Sequence, residues 1–279
     1  MRALIAGCGY VGSELGRRLV ADGHRVWGLR RSADAELPEG VERVTADLTD
    51  AASLEALPRG LDTVVYASSA GGFTEERYRA AYADGPRNLL ALLAGRGEAV
   101  RRAIFVSSTG VYGQQGGEWV DEESAAEADH FSAEHLRTGE RLFMDSPGGL
   151  AARLGGIYGP GRTRLLERVR RGEEACDEAA ALWTNRIHRD DAAGALAHLL
   201  TLPEVEPLYL VVDREPVERC ELLRWLAERM GAPAPPAAEN RGENERRGNK
   251  RCSSRRLVES GYGFEYPTYR EGYGALMAS

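Results

Sequence analysis

Gly7, Gly9 and Gly12 stand at the spacing that lets a backbone hold a diphosphate. A short apolar run, Ala3-Leu4-Ile5-Ala6, precedes them, and Val11, Leu15 and Leu19 recur behind them at helical spacing. In such a strand–loop–helix unit the first glycine permits the tight turn. The second lets the backbone approach phosphate without a Cβ in the way, and the third lets the helix lie against the strand. The free N–H groups and the dipole at the helix start favour an anion. Gly7, Cys8, Gly9, Tyr10, Val11 and Gly12 are therefore expected to cradle a dinucleotide, against the plainer reading of a tight turn with no ligand. Cys8 is expected to contribute backbone and not a nucleophile.

A second set of groups follows the strand Arg25–Leu29. Dinucleotide folds that prefer NAD carry an acidic residue there to bond the ribose, whereas this chain has Arg30, Arg31 and Ser32. Guanidinium forks bind a 2′-phosphate through charge-assisted hydrogen bonds that a carboxylate would repel. Each is worth about 1.5–3 kcal/mol, roughly ten- to a hundredfold in affinity. NADP is expected ahead of NAD, with NAD as the alternative; two solvated surface arginines are the other reading.

Tyr112 and Tyr158 follow apolar strands, where a hydroxyl could face a crevice or pack loop backbone against a sheet. His135 has a suitable pKa range for proton transfer but also reads as an exposed helix residue, and His130 lies in an acidic loop. Arg186 could hold an anionic substrate or pair with a surface carboxylate. Asp190 and Asp191 have no third ligand at metal spacing, so a helix cap at Asp190 is expected and no metal.

The elements that must position these groups alternate. Strand-like runs at 3–6, 25–29, 41–45, 63–67, 103–107, 150–154 and 208–212 are separated by helical stretches from about Ala51, over 75–94, over 132–145, from Asp190 and over 220–230. That alternation gives right-handed βαβ units and a parallel sheet covered on both faces. Ligands then sit beyond the carboxyl ends of the strands, so the loops after Ala6, Leu29, Ala67, Ser107 and Leu154 should line one crevice. The expected fold is α/β: a doubly wound Rossmann-type sheet over 1–157, with a small interleaved C-terminal substrate lobe over 158–279. The stretch 232–250, rich in proline and then charge, is expected as a loop.

The chain has 279 residues and a net charge of −7, which argues against nucleic acid as the main partner. Four scattered cysteines with no CxxC pair read as reduced thiols. No apolar run approaches the ~18 residues a membrane helix needs, and the sequence opens directly onto a strand, so neither membrane nor leader is expected and the location is expected to be cytoplasmic.

Taken in order, several segments resemble the extended short-chain dehydrogenase/reductases, the NAD-dependent epimerase/dehydratase family. They are the glycine loop, Asp47-Leu48, Ala67-Ser68-Ser69-Ala70, the run from Val106 to Gly113, the run from Arg153 to Arg162, and Asn185 to Ala192. Asp213–Val217 and Asn249–Leu257 are similar to an atypical branch. The resemblance implies that Asp47 and Leu48 meet the adenine edge, although a helix cap is an equal reading for Asp47. It implies that Ala67, Ser68, Ser69, Ser107, Leu154, Gly156 and Ile157 complete the cofactor site, and that Tyr158, Arg162 and Arg186 face a small polar or anionic substrate. It further implies a homodimer through helices flanking the sheet. Family chemistry uses a Ser or Thr after the fifth strand and a Tyr-x-x-x-Lys on the next helix. Ser108 matches the first, but the second is missing: His135 falls at the tyrosine position and Gly139 at the lysine position. Ser108, Tyr112 and His135 remain the candidate catalytic groups. A non-catalytic NADP(H)-binding module is the competing reading.

Overall fold

The computed structural model describes residues 1–177, 181–237 and 248–278. In chain order the first half contains β1 (Arg2–Ala6), α1 (Tyr10–Ala21), β2 (Arg25–Arg30), β3 (Val41–Thr45) and β4 (Thr63–Tyr66). Then come α2 (Glu75–Arg79), α3 (Gly85–Gly95), β5 (Arg102–Ser108), β6 (Glu118–Val120), α4 (Phe131–Met144) and β7 (Gly149–Leu154). The second half contains β8 (Gly156–Tyr158), α5 (Arg164–Arg170), β9 (Trp183–Thr184), β10 (Arg186–His188), α6 (Arg189–Thr201) and β11 (Leu208–Val211). It ends with β12 (Val217–Glu218), α7 (Arg219–Met230), β13 (Lys250–Cys252), α8 (Arg255–Glu259) and α9 (Tyr269–Ala278).

Seven strands form one sheet in the order β11-β7-β5-β4-β1-β2-β3, every pair parallel. This is the doubly wound Rossmann-type arrangement that the alternation implies. Strand periodicity sorts the core into two layers. Leu4, Val64 and Phe105 pack under α3 and α4, while Ala3, Ile5, Val65 and Ile104 pack against α1 and α6. A third core lies wholly after residue 157 and joins Tyr158, Leu166, Val169, Leu223, Leu226, Tyr269 and Tyr273. Among the described residues no helix is long and apolar enough to cross a membrane.

Four details differ from expectation. The long helix over 75–94 contains a π turn, Ala80–Asp84, between α2 and α3. Tyr66, buried at the end of β4, donates its hydroxyl to the Ala81 carbonyl at 2.6 Å in that turn. The helix expected from Ala51 is a single 3-10 turn, Ser53–Ala56, and the Asp47 carboxylate does not cap it. Asp47 instead accepts from the Thr49 amide and hydroxyl, which hold it below its usual range. The cap of α6 is His188, not Asp190: the His188 ring accepts from the Asp190 amide at 3.3 Å. Asp190 lies in the first turn and pairs with Arg189. The segment expected as a loop over 232–250 lies partly outside the described residues, and its end, Lys250, opens β13 beside β6. All four cysteines are free and buried.

Candidate functional site

Because the large sheet is wholly parallel, the carboxyl ends of its strands and the loops that follow them lie on one side. At its centre the chain turns between β1 and α1. Gly7 has φ +100°, and a Cβ there would lie 2.5 Å from the Ser68 nitrogen. A Cβ on Gly12 would lie 2.6 Å from the Gly7 carbonyl oxygen. Gly9 differs: a Cβ there would meet only the Arg30 Nη1, at 3.4 Å. The space over Gly9 is thus open, and no side chain caps the start of α1. Cys8 points its thiol into the core, where burial pushes the pKa up, so only its backbone faces the loop.

Arg30 ends β2 and donates from Nη1 to the Cys8 carbonyl at 2.9 Å, which sets its guanidinium beside the loop with other donors unspent. Arg31 and Ser32 are exposed next to it, and the Ser32 hydroxyl accepts from the Asp34 amide. Asp47 and Leu48 follow β3, the neighbour of β2; Asp47 is half-buried and Leu48 buried. Ala67 and Ser68 pass directly over Gly7, and Ser69 is exposed beyond them. Leu154 packs in the core, while Gly156 is exposed and Ile157 half-buried on the strand β8 beyond it.

The candidate catalytic groups fare unevenly. Ser108 closes β5 half-buried, and its Oγ accepts from the Gly110 amide at 3.1 Å, leaving the hydroxyl proton free to donate. Ser107 is turned inward and donates to Glu140 at 2.6 Å, so it offers the crevice backbone only. Tyr112 does not present a hydroxyl to the crevice. It is 1% exposed, donates to the Asp121 carbonyl at 2.6 Å, and burial drives its pKa up even beneath the Arg153 guanidinium at 4.7 Å. That placement argues against proton transfer by Tyr112. His135 is turned toward α2, with Nε2 4.0 Å from Glu75 and without a hydrogen-bond partner. At the lysine position, a Cβ on Gly139 would sit 2.4 Å from the Phe105 ring and 2.5 Å from the Tyr82 carbonyl oxygen.

His130 is better placed than its acidic surroundings suggest. It caps α4, with Nδ1 accepting from the Ala133 amide at 3.1 Å and lying 2.6 Å from the Ser132 hydroxyl. Burial, then Arg137 and Lys250, hold its pKa down. Lys250 is itself buried and donates to the Tyr112 carbonyl at 3.2 Å. Nothing in the local sequence places Lys250 there, because the contact spans 138 residues.

Tyr158, Arg162 and Arg186 are brought together. They line a cavity of about 510 Å³ with Ile157, Arg164 and Tyr273, in which three guanidiniums face one carboxylate, that of Glu167. Tyr158 stacks on Tyr273 at 4.2 Å, and Arg186 donates to the Tyr273 hydroxyl at 3.2 Å. Burial raises the Tyr158 pKa, with Asp213 adding to it, so this phenol is a neutral wall and no base. Tyr273 and Asp213 carry no local signal, since each reaches this region only through folding of the C-terminal segments.

The NAD dependent epimerase/dehydratase family model matches residues 3–137. A provisionally named NAD-dependent epimerase/dehydratase from Methylobacillus flagellatus is 41% identical in sequence, with a TM-score of 0.84 over 99% of this chain and 97% of that one. The 2-alkyl-3-oxoalkanoate reductase of Stenotrophomonas maltophilia (strain K279a) is 27% identical over 259 residues, 84% of this chain and 77% of that protein. The UDP-glucose 4-epimerase of Thermus thermophilus, in complex with NAD, shares the fold at a TM-score of 0.79 and 24% identity, over 98% and 96% of the two chains.

Proposed function

The chain belongs to the NAD-dependent epimerase/dehydratase family, and on that premise we propose that it is a nicotinamide-nucleotide-dependent oxidoreductase acting on a small anionic carbonyl or sugar-like substrate. The observation that carries this reading is the link between two regions: Tyr10, in the turn of the glycine loop, donates to the Pro160 carbonyl and lies under Arg162, which lines the cavity. The open glycine loop lies beside Arg30 after β1, and the arginine-lined cavity is built from β8, the loop after it, α5, β10 and α9. The bound NAD of the Thermus thermophilus relative supports a nicotinamide nucleotide in the first region. A nicotinamide, when bound, supplies or accepts the hydride.

In this reading Gly7–Gly12, Asp47, Leu48 and Ala67–Ser69 hold the cofactor, with Leu154, Gly156 and Ile157 closing it off. Arg30, Arg31 and Ser32 favour NADP over NAD through the 2′-phosphate. Arg186 and its neighbouring guanidiniums hold a substrate anion, and the Ser108 hydroxyl donates to the substrate oxygen. Residues 1–157, joined by α6 and β11, form the dinucleotide unit, and 158–279 is otherwise mainly the interleaved substrate lobe of a cytoplasmic homodimer.

A second reading, an NADP(H)-binding module without turnover, is favoured by one observation: Gly139 has no room for the side chain its family position calls for. Absorbance and fluorescence of NADPH with the purified protein separate the two. Bound NADPH consumed on addition of keto acids, 3-oxo acids or nucleotide-linked keto sugars supports the enzyme. Bound NADPH that no such compound discharges supports the module. Undiminished turnover in Ser108→Ala would remove that hydroxyl from the chemistry.

A further inference from the structure

Tyr10 is the first residue of α1 and directly follows Gly9. Side chains on a helix lean toward its N-terminus, which carries the Tyr10 ring back past the start of α1. There its hydroxyl donates to the Pro160 carbonyl at 2.9 Å, fastening the loop after β8 to the glycine turn across 150 residues of sequence. Two guanidiniums lie on this ring, Arg162 at 4.0 Å and Arg189 at 5.5 Å. Their states differ. Arg189 is neutralised by Asp190 at 2.8 Å and Glu14 at 3.8 Å. Among the described residues Arg162 has no carboxylate within ion-pair distance, and its guanidinium donates no hydrogen bond. The first turn of α1 holds no acidic side chain either.

We propose that Arg162, seated on the face of Tyr10, is a clamp for the cofactor's diphosphate at the glycine loop. The inference rests on the nucleotide reading of that loop. An unpaired cation beside a helix start with free N–H groups matches a doubly charged diphosphate. The Tyr10 ring holds the guanidinium ready, so little side-chain freedom is lost on binding. Because Arg162 also borders the arginine-lined cavity, the same side chain places the diphosphate next to the substrate anion that Arg186 and Arg164 hold.

The test titrates NADH, ADP and adenosine into the full-length wild type and into Arg162→Ala, Tyr10→Leu and Tyr10→Phe. Arg162→Ala is expected to weaken NADH and ADP by roughly ten- to a hundredfold and to leave adenosine, which has no phosphate, unchanged. Tyr10→Leu, which removes the platform, should weaken the same two ligands and spare adenosine; Tyr10→Phe, which keeps the ring but loses the bond to the Pro160 carbonyl, should weaken them less than Tyr10→Leu. If Arg162→Ala binds NADH and ADP as the wild type does, or loses adenosine equally, the clamp is refuted while the nucleotide site stands. If the wild type binds none of the three, and NADPH no better, the nucleotide reading itself has failed.

Discussion

Arg153 and Glu140 meet inside the protein through two hydrogen bonds, 2.8 and 2.7 Å long, and the Ser107 hydroxyl adds a third to the same carboxylate at 2.6 Å. The trio joins β7, α4 and β5. Burial opposes a charge on Arg153, but Glu140 more than restores it and raises the arginine pKa. The pair also fixes the rotation of α4. Ser132, Leu136, Gly139, Glu140 and Phe143 are buried, while His135 is turned toward Glu75.

Breaking that pair should therefore be costly. Glu140→Ala leaves a buried guanidinium without its carboxylate, a loss of about 3–5 kcal/mol. The double change Glu140→Leu with Arg153→Met removes both charges and should recover much of it. Urea unfolding measures both. A Glu140→Ala midpoint matching wild type would show that water reaches this pair.

Arg30 should govern cofactor choice. Arg30→Ala removes a guanidinium from the 2′-phosphate position and should cut the ratio of NADPH to NADH affinity roughly ten- to a hundredfold. The same change also frees the Cys8 carbonyl, which loosens the loop for both nucleotides alike, so the ratio isolates the phosphate contribution. An unchanged ratio in direct titrations would leave Arg30 as a loop brace only.

Restoring the family motif should fail. His135→Tyr with Gly139→Lys rebuilds Tyr-x-x-x-Lys in the sequence, but the lysine Cβ would have to enter the space held by the Phe105 ring and the Tyr82 carbonyl. Overpacking of this kind costs about 1–3 kcal/mol. The double variant is expected to melt earlier than wild type and to consume NADPH no faster. A stable variant with raised turnover would mean that α4 still holds a working place for the motif.

What the sequence makes legible follows from the range of the interactions. Six of the seven sheet strands carry apolar runs of the right length. The residues that crowd Gly7 and Gly9, Ser68 and Arg30, come from other parts of the chain, but the glycine spacing after β1 is a local pattern, so both strands and loop are readable. Tyr112 is not, because its burial depends on Arg153 above its ring and on Asp121 at its hydroxyl. The π turn at Ala80–Asp84 is equally hidden: the Tyr66 hydroxyl that bonds the Ala81 carbonyl lies on another element. The His188 cap escapes a reading by residue type because Asp190 is the better capping residue, yet it falls two positions too late.

The last prediction concerns pH. Asp213 follows β11, donates its amide to the Arg186 carbonyl at 2.7 Å, and accepts at Oδ1 from the Glu215 amide at 3.3 Å. Its Oδ2 is buried with no hydrogen-bond partner. Burial pushes this carboxyl well above the ordinary aspartate value, and the nearby Arg186 offsets only part of that. The folded protein therefore holds a proton that the unfolded chain releases. Stability from that proton is present in full below about pH 3.9, the unfolded value, and is lost as pH rises through the folded value. Each pH unit inside that window costs the wild type about 1.4 kcal/mol. Asp213→Asn carries no such proton, so its stability relative to wild type should improve steadily as pH is raised above about 4. Urea unfolding of both proteins at about pH 4, 5, 6 and 7 measures the gap. A gap that stays constant over that range would mean that Arg186 keeps Asp213 ionised in the folded state.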